Sequence, residues 1–322
     1  MSSDPPLHQP NDKLFKQTFS DPETAAGFMK AYLPEPIADA VKWSDLKLEA
    51  GSFIDSEFRQ HESDLLFRAP LAGSDVLLYC LFEHQTREDP AIALRLLRYM
   101  VRIWETQLAK SPTQSLPVIL PVVLAQNERV WKTSPVFSAL FDLPESVPDD
   151  LRHFIPDFLF RLIQLAELPF DDIRGTPAGI VVMRVMKAER TNSLHAQPVW
   201  DEELLNQLPS VILEMIFRFM MNAEVDIEAI ERKINTLQSP QLKQTTMTLA
   251  QKIHQEGRQE GRQEGRFQAF KENILDVLNM RFENVPAGLW EEIQAITDDT
   301  KLHQLLRSAI QSPSIEAFAE NL

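Results

Sequence analysis

Leu65-Leu66-Phe67 and Val76-Leu77-Leu78-Tyr79-Cys80-Leu81-Phe82 are two short apolar runs rich in strand-forming residues, and the turn-type cluster Ala72-Gly73-Ser74-Asp75 lies between them. Runs of this length bounded by turn residues predict a β-hairpin. A loop of about four residues, a common hairpin length, pairs Leu71 with Val76. Counting back along both strands sets Asp64 opposite Glu83. Opposite residues of an antiparallel pair share a face, with side chains about 5 Å apart. Alternation brings Gln85 to that face as well. Leu66, Tyr79 and Leu81 share it, while Leu65, Phe67, Cys80 and Phe82 take the other. Both faces are therefore apolar, and helices are expected on both sides of the sheet.

The remaining pattern is read in chain order. Met1 to Pro10 is polar and proline-containing, a disordered lead. Asn11-Asp12 can cap a short helix containing Leu14, Phe15 and Phe19. Ser20-Asp21-Pro22-Glu23 restarts a helix, with Ser20 or Asp21 as N-cap and proline in the first turn. Ala25, Phe28, Met29 and Tyr32 recur along it at helical spacing up to Pro34. Leu46 to Ile54 alternates enough for a strand. From Pro90 to about Lys110, Ile92, Leu96, Tyr99 and Ile103 form a helical stripe broadened by Met100 and Trp104. Pro117 to Ala125 reads as a strand buried on both faces, and the return from helix to strand is a crossover that supplies a parallel neighbour. The order is helix, three strands, helix, strand. Beyond Ala125 the expectation is helical: Leu159, Leu162, Ile163 and Leu165, then Ile180 to Met186, then Val211 to Met221, as core or packing surface.

Gln255 to Arg266 repeats Gln-Glu-Gly-Arg three times. On a helix, Arg258, Arg262 and Arg266 form one stripe and Glu256, Glu260 and Glu264 another. Arg and Glu stand two apart and do not pair at i,i+3 or i,i+4, whereas like charges do. Each glycine costs about 1 kcal/mol relative to alanine. A neighbouring chain laying Glu against Arg would satisfy both stripes, so the segment is a candidate for homo-oligomer contacts, with a flexible hinge as the other reading. After it, Phe270, Ile274, Val277 and Leu278 continue at helical spacing. Val285, Leu289, Trp290, Ile293, Leu305, Leu306, Ile310 and Phe318 follow as apolar anchors of a small helical module. The organisation expected is a lead over 1–10, a main domain over 11–235, the repeat segment over 236–270 and an accessory module over 271–322.

With 322 residues the chain can bury a large core, and its 44% hydrophobic content is that of an ordinary soluble protein. The single cysteine, Cys80, excludes a disulfide framework and suits a reducing, cytoplasmic compartment. No leader pattern opens the sequence. Its longest apolar run, Leu116 to Ala125, falls far short of the roughly 20 residues of a membrane helix, so no membrane partner is expected. The net charge of −15 argues mildly against nucleic acid as partner, although a local basic patch would suffice for a nuclease.

Asp64, Glu83 and Gln85 carry the candidate chemistry. Two carboxylates so close resist ionising together, and a divalent cation resolves the conflict. Oxygen ligands favour Mg²⁺ or Mn²⁺ over Zn²⁺. The plainer reading is a surface hairpin end with both acids solvated. His84, between Glu83 and Gln85, faces the other side and reads as a packing residue. Arg95, Arg98 and Arg102 form a basic stripe at i, i+3 and i+7, with Tyr99 one turn from Arg95. This is either a solvated helix face or a grip on a phosphate backbone.

Asp12-Lys13-Leu14-Phe15-Lys16 and Ser20-Asp21-Pro22-Glu23 open a series of blocks. Gly51-Ser52-Phe53-Ile54-Asp55, Glu62-Ser63-Asp64-Leu65-Leu66-Phe67, Phe82-Glu83-His84-Gln85 and Arg95 to Glu105 follow in order. Together, over roughly Asn11 to Ala125, they resemble the Rpn family of recombination-promoting nucleases, also carried under the name putative transposase. The resemblance implies a PD-(D/E)XK core of αβββαβ order, a mixed sheet flanked by helices, with a helical C-terminal extension. It also implies a metal-dependent DNA endonuclease. Asp64 then takes the motif aspartate, Glu83 the second acid, and Gln85 the place of the motif lysine, where this family carries glutamine. The backbone carbonyl of His84 is the implied third metal ligand, for Mg²⁺ or its substitutes Mn²⁺ and Ca²⁺. Arg95, with Tyr99, Arg98 and Arg102, would contact DNA, and Asp12 and Lys16 are accessory candidates. One departure stands out: the family's Tyr-His-Gly turn is replaced by Leu124-Ala125-Gln126-Asn127. A catalytically inactive nuclease-fold protein acting in DNA binding or assembly is the alternative. A transposase with a carboxylate triad on an RNase H-like fold fits less well, since no third acid is evident.

Overall fold

A computed structural model describes residues 10–49, 65–71, 77–111, 115–144, 146, 148–223, 227–282 and 285–322. The chain divides into two units, Met1–Leu249 and Ala250–Leu322. Positions 1–9 of the expected lead, the hairpin loop over 72–75 and positions 50–54 of the first expected strand lie outside the described residues; Pro10, the last residue of that lead, instead opens α1.

The first unit opens with α1 (Pro10–Phe19), α2 (Pro22–Tyr32) and α3 (Glu35–Ala40). Asp21 is the N-cap of α2: its carboxylate accepts from the Thr24 N–H at 2.9 Å and the Thr24 hydroxyl at 2.8 Å. Pro22 occupies the first turn, where its missing N–H costs nothing. The helix stops at Tyr32, because Pro34 pushes the residue before it out of helical conformation.

A five-stranded sheet follows, in the order β1 (Lys47–Leu48), β2 (Leu65–Pro70), β3 (Leu77–Gln85), β4 (Val118–Ala125), β5 (Arg161–Gln164). Between β3 and β4 runs α4 (Ile92–Lys110). β1 and β2 pair antiparallel, as do β2 and β3. The second pairing runs from Pro70↔Leu77 to Leu65↔Phe82, the register counted from the hairpin. The crossover through α4 brings β4 parallel to β3, and β5 is parallel to β4. Pro121 sits inside β4, just ahead of Val122–Ala125, the residues paired with β5. Its missing N–H thus falls where the ladder to β5 has not begun.

The strand β5 corrects the helical expectation for 159–165. Five apolar residues in seven, Leu159, Phe160, Leu162, Ile163 and Leu165, fit a helical and an extended period alike. The main-chain groups on the far edge of Val122–Ala125 need partners, and an extended Arg161–Gln164 provides them.

The two faces carry different cores. On one, Leu66, Ile119, Val123 and Ala125 pack with Ile92, Leu96, Tyr99 and Ile103 of α4. On the other, Phe82 is fully buried among aromatic rings. Its centroid lies 4.8 Å from Phe15, 5.3 Å from Phe19 and 4.6 Å from Phe28, so α1 and α2 cover this face. Behind α1 lie α6 (Pro177–Arg190) and α8 (Ser210–Asn222), with the short α5 (Asp149–Arg152) and α7 (Glu202–Leu205) in the connections. Arg184 of α6 is buried and ties two loops together, donating to the carbonyls of Phe170 at 3.1 Å and Pro198 at 2.9 Å and to Asp201 at 3.1 Å. α9 (Ile227–Thr236) then leads to α10 (Pro240–Arg281).

The second unit packs the later turns of α10 with α11 (Ala287–Ala295), α12 (Asp299–Gln311) and α13 (Ile315–Ala319). Ile274, Leu278, Leu289, Ile293, Leu302, Leu305 and Phe318 form its core. Two expected anchors are not buried: Trp290 and Ile310 are exposed. α12 buries the stripe Leu302, Leu305, Ala309, and the next residue, Ile310, is rotated off that face by one helical step. The Gln-Glu-Gly-Arg repeat lies wholly within α10, and open space surrounds Gly257, Gly261 and Gly265.

Phe82→Ala removes the ring that α1 and α2 pack around. A loss of about 3–5 kcal/mol in urea unfolding is expected; a loss below about 1 kcal/mol would show that the ring is peripheral.

Candidate active site

The segment Glu83-His84-Gln85 closes β3 at its carboxyl end. β4 holds it along one edge, in the register Glu83↔Val123, His84↔Leu124, Gln85↔Ala125. The pairing is completed by the Gln126 N–H, which donates to the Gln85 carbonyl at 2.7 Å. On the other edge the described pairing with β2 ends at Leu65↔Phe82. Asp64 lies outside the described residues. Val123 and Ala125 belong to the core beneath α4, so the register sets the backbone of Glu83 and Gln85 beside that layer. Ligands of open parallel sheets bind outside the carboxyl ends of the strands, and β3, β4 and β5 end together here. Glu88 joins the loops after β3 and β4, accepting from the N–H groups of Lys132 at 2.7 Å and Thr133 at 2.8 Å and from the Thr133 hydroxyl at 2.7 Å. These bonds, the Thr133 hydroxyl foremost, hold its carboxyl below the usual glutamate range.

His84 is buried, as a packing residue would be, and its ring stacks on Phe15 at 5.0 Å and 18°. The ring is also bound on both edges. Nδ1 lies 2.8 Å from an Asp12 carboxylate oxygen, and Nε2 lies 2.8 Å from the Gln126 Oε1. The orientation of the Gln126 amide is fixed independently. Its nitrogen donates to the Met186 carbonyl at 2.8 Å and to the Asn11 Oδ1 at 2.8 Å, with a Glu189 oxygen at 3.3 Å. A carbonyl can only accept, so the Gln126 Oε1 must face the histidine and the His84 Nε2 must donate to it. Six residues from α1, β3, the turn after β4, and α6 thus form one polar network beneath the strand end.

Gln126 and Asn11 are the residues that sequence reasoning missed. The available signal was an amide directly after a wholly apolar strand, since a side chain there is buried and must find partners. Asp12, expected as a cap or accessory group, lies in the first turn of α1 and directs its carboxylate to His84. Lys16 is exposed near the end of α1. On α4, Arg95 is half-buried and ion-paired with Asp89 at 2.6 Å. Arg98 is exposed, and Arg102 is exposed and pairs with Glu105 at 3.1 Å. Tyr99 is buried in the core under α4. Among the described residues, no group of three or more His, Cys, Asp or Glu side chains could hold a metal ion, and no helix is long and apolar enough to cross a membrane.

Residues 9–214 match the family described as "Putative transposase, YhgA-like". The chain belongs to this YhgA-like family. The match takes in the whole sheet and the helices on both faces. Across the YhgA-like region and beyond it, the chain is 26% identical over 260 residues to recombination-promoting nuclease RpnD of Escherichia coli O157:H7 (77% of this chain, 95% of that protein). It is 28% identical over 258 residues to recombination-promoting nuclease RpnA of E. coli K12 (77% and 84%). It is also 27% identical over 259 residues to a K12 protein named inactive recombination-promoting nuclease-like protein RpnE (77% and 82%). No solved structure matches the chain. In this YhgA-like protein, then, the family region contains the strand end and the buried network together.

Burial raises the Glu189 carboxyl above its ordinary value of 4.5, with Arg190 opposing the shift. A raised acid binds protons more tightly in the folded state, so its stabilising effect is full below 4.5 and is lost as pH rises through the folded value. Glu189→Gln should remove this loss. Urea midpoints measured from pH 4 to 8 should then rise for the variant relative to the parent toward neutral pH. Parallel profiles would exclude the linkage.

Proposed function

We propose that the chain is a divalent-metal-dependent DNA endonuclease on a PD-(D/E)XK core, with promotion of recombination as its biological setting. The register of β2 and β3 carries this reading. It proceeds by single steps to Leu65↔Phe82, and the residue next in sequence to each member of that pair is an acid, Asp64 before Leu65 and Glu83 after Phe82. The order of the opening helices α1 to α3, then β1, β2, β3, α4, β4, antiparallel then parallel about β3, supports the αβββαβ assignment. So do relatives named recombination-promoting nucleases.

The donor set fits a hard cation. Both nitrogens of the His84 imidazole face Asp12 and Gln126, which leaves oxygen as the donor type: the carboxylates of Asp64 and Glu83 and the carbonyl of His84. That chemistry suits Mg²⁺, or Mn²⁺ and Ca²⁺ in its place. When bound, the ion supplies Lewis-acid charge at the phosphate and activates water. Gln85 has neither a cationic nor a basic form, and its amide orients the water or bonds a phosphate oxygen. Arg95, Arg98 and Arg102 would hold the DNA backbone, Tyr99 being buried beneath them in the core where it supports α4 instead of reaching DNA, and Lys16 is an accessory cation. The proposed compartment is the cytoplasm. The second reading, an inactive nuclease-fold protein in DNA binding or assembly, is favoured by the relatives named inactive, among them the E. coli K12 protein YjiP, 38% identical over 94 residues.

Supercoiled plasmid incubated with Mg²⁺, Mn²⁺, Ca²⁺ or EDTA tests the first reading. Metal-dependent nicking that falls by about 100-fold or more in Asp64→Ala and Glu83→Ala is expected, from loss of the ligands that organise charge and water. Folded protein that shifts DNA in a gel without cutting under any condition would transfer the assignment to the second reading.

A second copy of the chain is the other proposed partner, through Gln255–Arg266. The repeat lies in the helix α10, with open space around its glycines. Arg266 also pairs with Asp299 at 2.9 Å, so Arg258 and Arg262 are the arginines offered outward. Deleting Gln255–Arg266 should lower the mass found by light scattering to that of a monomer; an unchanged mass would rule the contact out.

A further inference from the structure

We propose that Gln126 and Asp12 are positioning residues for the site at the end of β3, acting through the buried ring of His84; this rests on the nuclease reading. The end of a strand opens easily where tertiary contacts are few. Here β4 pairs with one edge of Glu83-His84-Gln85. The buried face beneath the segment supplies a second, independent set of contacts.

Gln126 grips it twice. Its main-chain N–H donates to the Gln85 carbonyl at 2.7 Å, and its side-chain oxygen accepts from the His84 Nε2 at 2.8 Å. One residue thus contacts both members of the pair that contributes a carbonyl and an amide to the site. The amide cannot turn away, because its nitrogen is held by Met186 and Asn11 at 2.8 Å each. Asp12 takes the opposite edge of the ring at 2.8 Å, and Phe15 stacks on its face. Tilt and rotation of the ring are both removed. His84 is the only residue between Glu83 and Gln85, so a fixed ring fixes the backbone from which both project and the direction of its own carbonyl. Outer hydrogen bonds that orient ligands commonly change metal affinity or activity by about 10–100-fold when removed.

The experiment uses the full chain and Mn²⁺ as the probe. Gln126→Leu keeps the main-chain bond to Gln85 and removes the side-chain one; Asp12→Leu removes the other edge. Each should remain folded by circular dichroism, bind plasmid as the parent does in EDTA, and lose about 10–100-fold in Mn²⁺ affinity by calorimetry and in cleavage rate. Asp12→Asn, which keeps a polar group of the same length at the ring edge, should restore most of what Asp12→Leu loses. If a leucine variant does not fold, Gln126→Asn carries the same test, being too short to span His84 and Met186. An active parent with folded variants of unchanged Mn²⁺ affinity and rate would overturn the positioning role alone. A folded parent that neither binds Mn²⁺ nor cuts DNA would overturn the nuclease reading and this inference with it.

Discussion

Strand β3 must satisfy hydrogen-bonding groups on both edges and side chains on both faces, because it runs between β2 and β4 in a sheet packed by helices on both faces. One edge is met by a hairpin, which is local in sequence, and the other by β4 after a helical crossover. Phe82 meets one face with the rings of α1 and α2. His84, two residues on, occupies the same face but brings two nitrogens that an apolar layer cannot accommodate. An unpaired buried polar group costs roughly 1–3 kcal/mol. The arrangement of α1 and α6 beneath the strand end follows from that constraint as much as from apolar packing: each contributes an acceptor to the same network.

Local signals were legible where one physical rule acted alone. Asp21 before Pro22 marked the start of α2, and its carboxylate does cap the helix. The turn cluster Ala72-Gly73-Ser74-Asp75 pointed to the hairpin register, and the wholly apolar Pro117–Ala125 run after the α4 crossover marked a strand parallel to β3. β5 was not legible, since its apolar residues fit two periods and only the open edge of β4 decides between them. The roles of Asp12 and Gln126 were hidden for a different reason. A side chain's local options, a cap or a turn, can be read from its neighbours, whereas a hydrogen bond to a residue tens of positions away cannot.

The C-terminal unit shows the same division. The spacing of Ile274, Leu278, Leu302 and Leu305 marks a helical core, and these side chains are buried. Trp290 and Ile310 are as apolar as their neighbours but stand off the packed stripes. Three glycines in a 42-residue helix are tolerated because flanking turns on both sides propagate the hydrogen-bond ladder through them.

The sequence separations in the buried network bear on how the strand end is assembled. Asp12 and His84 are 72 residues apart, Gln126 and Met186 are 60 apart, and Asn11 and Gln126 are 115 apart. Closing such loops is entropically slow relative to forming a hairpin. A nascent chain released just past β4 holds Glu83, His84, Gln85 and Gln126 already, but the Gln126 amide then lacks the Met186 carbonyl that orients it. The strand end acquires its final geometry only after α6 has been synthesised and docked, so the hairpin forms early in translation and its functional end is completed late.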